Sequence, residues 1–250
     1  EDAAIMLNIL AGKDSRDATT SAKPPENYLK NLNKSIRGLQ IGISDEYFDG
    51  VTEQVRERVL EVLKVIEKLG GKLKKLKLFP PKYTIAVYTI LQRAEVSSNL
   101  ARYDGIRYGS NRSFFGDEAK RRIMLGTYAL SAGYYDQYYN KAQKVRTVIV
   151  NDFNKAFGEV DVIIAPTNPW TALPLGASKD NPMYGEMADA LVEPSSIAGL
   201  PGINVPCGLS KQGLPVGFQI IGPQFSESLI LNVAYQYEQV TNFHELKPNL

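Results

Sequence analysis

Apolar positions recur along the chain with two periods, and the switches between them mark out the elements. At the start, Ala3, Ala4, Leu7, Leu10 and Ala11 fall on one helical stripe. That pattern is already running at residue 1 with little room for a cap, which reads as the cut edge of a longer chain. A polar, turn-rich loop follows, and Leu39–Ser44 then reads as a short buried strand. Val55, Val59, Val62 and Ile66 repeat at helical spacing, with Thr52 as the expected N-cap and Gly70 as the stop. KLKKLKLFPPK reads as a second strand, which makes this segment a β-α-β unit with a parallel strand pair.

Two helices are predicted next, over Tyr83–Tyr103 and Asp117–Phe157, separated by DGIRYGSNRSFFG. Asp161–Thr167 is a run of β-branched residues that suits a buried strand. EMADALVEPSSIAG is a weaker helix interrupted near Pro194. GINVPCG and LPVGFQIIG, joined by LSKQG, predict a hairpin. SESLILNVAYQYEQVTNF closes as an amphipathic helix, with Ser226 as cap and Glu227 in its first turn. Strands alternating with helices predict an α/β fold, a mixed β-sheet covered by helices on both faces.

Composition narrows the function more than the fold. The 250 residues are 44% hydrophobic and carry a net charge of +2, too balanced for a chain that relies on polyanion attraction. Cys207 is the single cysteine, so there is no intrachain disulfide and no multi-cysteine metal cluster, which fits a reducing compartment. No apolar run approaches the roughly 20 residues that span a bilayer, and the opening residues do not read as a signal peptide.

Candidate chemistry is sparse. His244 is the single histidine and suits a capping or surface role, so a serine triad has no obvious base. Cys207 reads as an inert small core residue. The serine pairs in VSSNL and PSSIAG lack a glycine-rich nucleophile turn, and no phosphate loop or metal-ligand spacing is present. The lysines of KLKKLKL read as a solvated edge strand. Met124, Tyr128, Ser131, Tyr135, Tyr138, Ala142, Val145 and Ile149 trace a stripe in steps of three and four, which predicts a helix packed along one side. Arg121 and Arg122 stand out. They lie about one turn into a helix whose N-terminal dipole opposes them, so an acidic partner or ligand would explain them better than solvent.

Three stretches, EVSSNLARYDGIRYG, KRRIMLGTYALSAGYYDQYYNKAQKVRT and SSIAGLPGINVPCG…GLPVGFQIIG, resemble the amidase-signature family. Within it they are most similar to the glutaminase (A-type) subunits of the tRNA-dependent amidotransferases. The similarity runs from the first residue to about His244 and covers only the C-terminal half of that family. The tyrosine-rich stretch is its most specific part, whereas AGLPGINVP is common to amidase-signature hydrolases.

The resemblance implies that residues 1–250 are the C-terminal portion of a single amidase-signature domain. The family's catalytic Ser-Ser-Lys lies outside the sequence, so the chain by itself is expected to be inactive. It further implies hydrolysis of glutamine to glutamate and ammonia. The ammonia passes to the amidotransferase's B-type subunit, which uses ATP and Mg to convert Glu-tRNA(Gln) to Gln-tRNA(Gln). A small C-type subunit braces the pair in the cytoplasm. No cofactor is expected on this chain. By match to the family motifs, Arg122 holds the α-carboxylate of glutamine, Asp189 takes its ammonium, and the Tyr88 hydroxyl contacts the ligand. A guanidinium suits the first task because its fork donates two parallel hydrogen bonds to a carboxylate.

The chain departs from the family in two places. The segment between Gly109 and Phe115 is shorter than usual, and the spacing around Pro182 and Tyr184 differs, so the Asp189 assignment rests on its five-residue distance to Pro194. Arg121 receives no role. Two other readings remain at this point: a stand-alone amidase-signature hydrolase of small amides, and a non-catalytic assembly module.

Overall fold

The computed structural model describes residues 1–177 and 183–247, so Pro182 lies outside the described residues. Its centre is a five-stranded mixed sheet in the order β2-β1-β3-β5-β4. The strands are β1 (Gln40–Ser44), β2 (Lys72–Leu76), β3 (Val162–Pro166), β4 (Gly202–Leu209) and β5 (Pro215–Ile221). β1 pairs in parallel with β2 and β3, and the expected β-α-β unit is present, closed by α2 (Glu53–Lys68). β4 and β5 form the expected antiparallel hairpin, with an irregularity between Pro206 and Gly208, and β5 joins it to β3.

Every residue of β3 is buried, so the middle of the sheet is covered on both faces. Alternation sorts the cover. Ile41, Ile164, Phe218 and Ile220 lie on the α2 face with α8 (Glu227–Glu238), whose Tyr237 ring meets Phe218 edge-on at 5.0 Å. Ile163 and Gln219 point to the opposite face, where the helices α3 (Pro81–Leu100), α5 (Lys141–Ala156) and α7 (Glu193–Ala198) pack against one another. Both layers share one large apolar cluster. α2 places Val55, Val59, Val62 and Ile66 in it, as its spacing predicts. Gly70 then takes φ +94°, the left-handed turn that lets the chain enter β2.

Several expectations need correction. Asp117–Phe157 is not one helix. α4 (Asp117–Ala129) ends where the Ser131 hydroxyl donates to the Tyr128 carbonyl and Gly133 adopts φ +87°. A π-turn over Asp136–Asn140 then leads into α5. The tyrosine stripe is therefore packed only at its far end, where Ala142 and Ile149 are buried. Met124, Tyr128, Tyr135 and Tyr138 remain exposed, and the rings of Tyr128, Tyr134 and Tyr138 lean on one another instead.

Pro194 does not interrupt a helix but sits in the first turn of α7, where its missing N–H costs nothing. A separate short helix, α6 (Met183–Ala188), precedes it. Thr52 and Ser226 precede their helices without capping them, their hydroxyls donating to Pro169 and Pro223 carbonyls. The first helix, α1 (Asp2–Leu10), buries Ala4 but leaves Ile9 and Leu10 on the surface. Cys207 is buried, as expected, and His244 is exposed in a short 3-10 turn.

Candidate functional site

α3 and α4 form the pair on which the site is built. They cross so closely that a Cβ at Gly126 would lie 1.9 Å from the Arg93 carbonyl oxygen, so only glycine fits there. Ser97 and Thr127 share a hydrogen bond of 2.7 Å beside the crossing. One turn and more toward the N-terminus of α4, its Glu118, Arg121 and Arg122 face Tyr88 of α3, and α6 closes the third side with Gly185 and Glu186. Asp189, immediately after α6, completes the lining. Together these seven residues enclose a cavity of about 340 Å³.

The structure thus brings Arg122, Asp189 and Tyr88 to one cavity, and it adds Arg121, Glu118 and Glu186. Glu118 organises the α4 side. It accepts from Arg121 through Nε and Nη2 at 2.8 and 2.9 Å and from Arg122 through Nε at 2.6 Å. These two guanidiniums hold its carboxyl down to about 2. The same contact raises the pKa of Arg122, with a smaller contribution from the Tyr88 hydroxyl beside it, so this arginine stays charged. The cations that the helix dipole disfavours on α4 are thus offset by an acid on the same helix.

Glu186 is held from two other elements. Arg93 of α3 donates to it through Nη2, Thr89 donates to it at 3.3 Å, and Arg121 reaches it at 3.6 Å. Arg93 is almost wholly buried, with 5% of its side chain exposed. Behind this group sits Glu193 at the start of α7. It is 2% exposed, and both of its carboxylate oxygens lack a hydrogen-bond partner among the described residues. Burial, aided by Asp189 and Glu186 and opposed by Arg93, pushes it up to about 8, so it carries a proton at neutral pH.

Asp189 behaves differently from its neighbours. Its backbone carbonyl accepts from Val192 and Glu193, which turns the chain into α7. On the far side of that turn the buried Gln219 amide donates to the carbonyls of Leu191 and Pro166, at 2.7 and 2.9 Å, and ties it to β3. The Asp189 side chain is exposed to the cavity and takes part in no hydrogen bond or ion pair with the described residues. The cavity therefore offers one uncommitted carboxylate together with a guanidinium already oriented by its own helix. Among the described residues no group of three acids, histidines or cysteines could hold a metal ion.

The amidase family model matches residues 1–231. The chain belongs to the amidase family. Among its relatives, the A-type subunits of the glutamyl-tRNA(Gln) amidotransferases of Geobacillus sp. and Oceanobacillus iheyensis are 47% and 44% identical to it. Each match takes in the whole of this chain and 54% of the relative. The crystal structure of the corresponding Thermotoga maritima protein superposes with a TM-score of 0.79 at 38% identity, over 96% of this chain and 51% of that one. A bacterial aryl acylamidase superposes at 0.75 with 20% identity, a likeness of fold. The chain spans about half the length of the relatives it matches, consistent with the C-terminal half of such an amidotransferase amidase.

Within this amidase chain, sequence reasoning missed Arg93, Glu186 and Glu193. A signal existed for the first. Arg93 is the single cation between Tyr83 and Leu100, set between Leu91 and Ala94 in an apolar run, and a charge so placed needs a partner. Glu193, wedged between Val192 and Pro194, carried the same hint. Nothing local announced Glu186, whose hydrogen-bond partners Thr89 and Arg93 lie on α3, 97 and 93 residues earlier.

Proposed function

We propose that this chain is the substrate-recognising half of a glutaminase subunit that supplies ammonia to a tRNA-dependent amidotransferase. One observation carries the reading: the free carboxylate of Asp189 and the guanidinium of Arg122 line one cavity of about 340 Å³. Free glutamine is a zwitterion, and those two groups complement its two charged ends. Arg122 binds the α-carboxylate through its fork, Asp189 binds the ammonium, and Tyr88 contributes its hydroxyl to the ligand. Attack on the side-chain amide comes from a serine-serine-lysine relay outside these 250 residues, so the chain alone is inactive.

The ammonia is consumed by a B-type subunit that activates Glu-tRNA(Gln) with ATP and Mg, in an assembly braced by a small C-type subunit. This chain itself binds no cofactor and works in the cytoplasm. No helix of the described residues is long and apolar enough to cross a membrane. The names of the similar chains of Oceanobacillus iheyensis and Geobacillus sp. support the placing in a tRNA-dependent amidotransferase.

The test uses the glutaminase subunit completed with its N-terminal half and assembled with its partners. Arg122→Ala is expected to raise the glutamine KM by about 100-fold or more, the least that losing two charge-assisted hydrogen bonds would cost, while amidation driven by added ammonia is retained. Equal loss of both activities would remove Arg122 from the substrate pocket. Hydrolysis of simple aryl or aliphatic amides in preference to glutamine would replace the reading with that of a stand-alone hydrolase.

A further inference from the structure

Two carboxylates three residues apart line the same cavity, and they are in opposite states. Asp189 is uncommitted. Glu186 is spent: one oxygen accepts from Arg93 and lies 3.6 Å from Arg121, and the other accepts from Thr89. Glu186 therefore cannot be the ammonium ligand without giving up its existing partners. What it does instead follows from the helix that carries it.

α6 is six residues long and buries none of its own side chains. A helix so short has no stability of its own. It is tied on two sides. On one, Asn168 donates to the Ala188 carbonyl at 2.8 Å and the Trp170 ring meets Tyr184 edge-on at 6.4 Å. On the other, facing α3 and α4, Glu186 joins Thr89 and Arg93 on the first helix and Arg121 on the second. Arg121 in turn grips Glu118 with two hydrogen bonds, and Glu118 holds Nε of Arg122. One ladder of ionic contacts thus runs from α6, just ahead of Asp189, to the guanidinium across the cavity.

We propose that Glu186 is a positioning residue, a latch that fixes α6 against α3 and α4 and so sets the separation of Asp189 from Arg122. This rests on the reading of that pair as the two ends of a glutamine clamp. The proposal also gives Arg121 a task. It is the link by which a latch on α6 and the orientation of Arg122 are set together, because the same side chain touches Glu186 and Glu118. Specificity for a free α-amino acid depends on the distance between two charges, so a clamp whose jaws sit on different helices needs such a link.

The experiment uses the completed, assembled enzyme and four variants: Glu186→Gln, Arg121→Gln, Asp189→Asn and Arg122→Ala. Glu186→Gln keeps the shape of the side chain but leaves Arg93 without its anion and Arg121 with Glu118 alone. It is expected to raise the glutamine KM about tenfold, to leave kcat within about twofold, to spare ammonia-driven amidation, and to speed amide hydrogen exchange across residues 183–191. Arg121→Gln opens the exposed side of the latch without stranding a buried charge, and should raise KM in the same direction by a smaller factor.

If Asp189→Asn and Arg122→Ala raise KM but neither latch variant does, the latch is wrong and the clamp stands. If none of the four changes KM, the clamp itself is wrong and the latch falls with it. A fall in kcat with unchanged KM, or unchanged exchange across 183–191, also overturns the latch. Should Glu186→Gln fail to fold, Arg121→Gln decides the matter by the same readouts.

Discussion

Two regions of this molecule are rich in charge, and they use it in opposite ways. The edge strand β2 carries lysines that meet acids one at a time: Lys74 with Glu159 at 3.0 Å and Lys75 with Asp45 at 3.3 Å. The Lys75 pair is about 80% exposed on both sides. Across the molecule, Arg93, Arg121 and Arg122 meet Glu118 and Glu186 in a shared network that reaches into the core, where Arg93 is 5% exposed. Both places pair cations with carboxylates at similar distances. The difference lies in burial and sharing. Water screens an exposed pair and can replace either partner, whereas a buried pair has no substitute once one member is lost. The lysines thus describe a solvated sheet edge that resists pairing with other strands, while the arginines hold three helices in register around a cavity.

The sharpest way to break that contrast is to remove Arg93. Arg93→Met keeps the length and most of the apolar contact of the side chain but leaves Glu186 with Arg121 and Thr89 only, and Glu193 with no nearby cation. Removing one partner of a buried pair costs about 3–5 kcal/mol. Urea denaturation of the completed chain is expected to show a loss of that order. A loss no larger than that of a surface lysine variant would erase the distinction between the two regions.

A smaller effect, with a sign set by pH, is expected at Glu193. Its folded carboxyl sits near 8 against an ordinary value of 4.5. Between those two pH values the unfolded chain has released a proton that the folded chain keeps. Stability therefore falls as pH rises from about 4.5 to about 8 and is level above that. Glu193→Gln removes the titration while keeping the shape. Each pH unit of displacement is worth about 1.4 kcal/mol, and the unmet hydrogen bonds of the amide offset part of it. The variant is expected to be more stable than the parent by about 1–3 kcal/mol at pH 9, with the gain shrinking toward pH 5. A gain independent of pH would mean that Glu193 titrates normally, and would take the protonated acid out of the description of the site.

These expectations also show where the sequence could be read and where it could not. The α2 stripe, the β-α-β unit and the β4–β5 hairpin were legible because each is a local pattern whose period survives packing. The break after Ala129 was not. A lone glycine among helix formers does not by itself end a helix, and the stop at Gly133 depends on the left-handed turn it adopts there. The tyrosines misled for a related reason. Their spacing is helical, but the break after Ala129 and the π-turn that follows take them off the buried face and lean them on one another. At the site, Arg122, Asp189 and Tyr88 were named through resemblance to a family, and the structure places all three on one cavity. Arg93 and Glu186 carry no motif. Their meaning lies in a contact between α3 and α6, which no period within either helix encodes.

The smallest expected effect belongs to the edge strand and completes the comparison. Lys75→Ala removes an ion pair whose members are both in water, so the Coulomb gain is slight and the rotamer freedom regained by Asp45 nearly balances it. Denaturation of the completed chain should shift by about a tenth of the Arg93→Met effect or less, and glutamine hydrolysis should be unchanged. Raising the ionic strength should reduce even that shift, because screening acts on exposed charges first, while the Arg93 variant keeps its deficit in salt. If Lys75→Ala instead lowered glutamine turnover, the edge lysines would have a functional contact that their exposure and simple pairing do not suggest, and the division of the molecule into a solvated edge and a charged clamp would have to be redrawn.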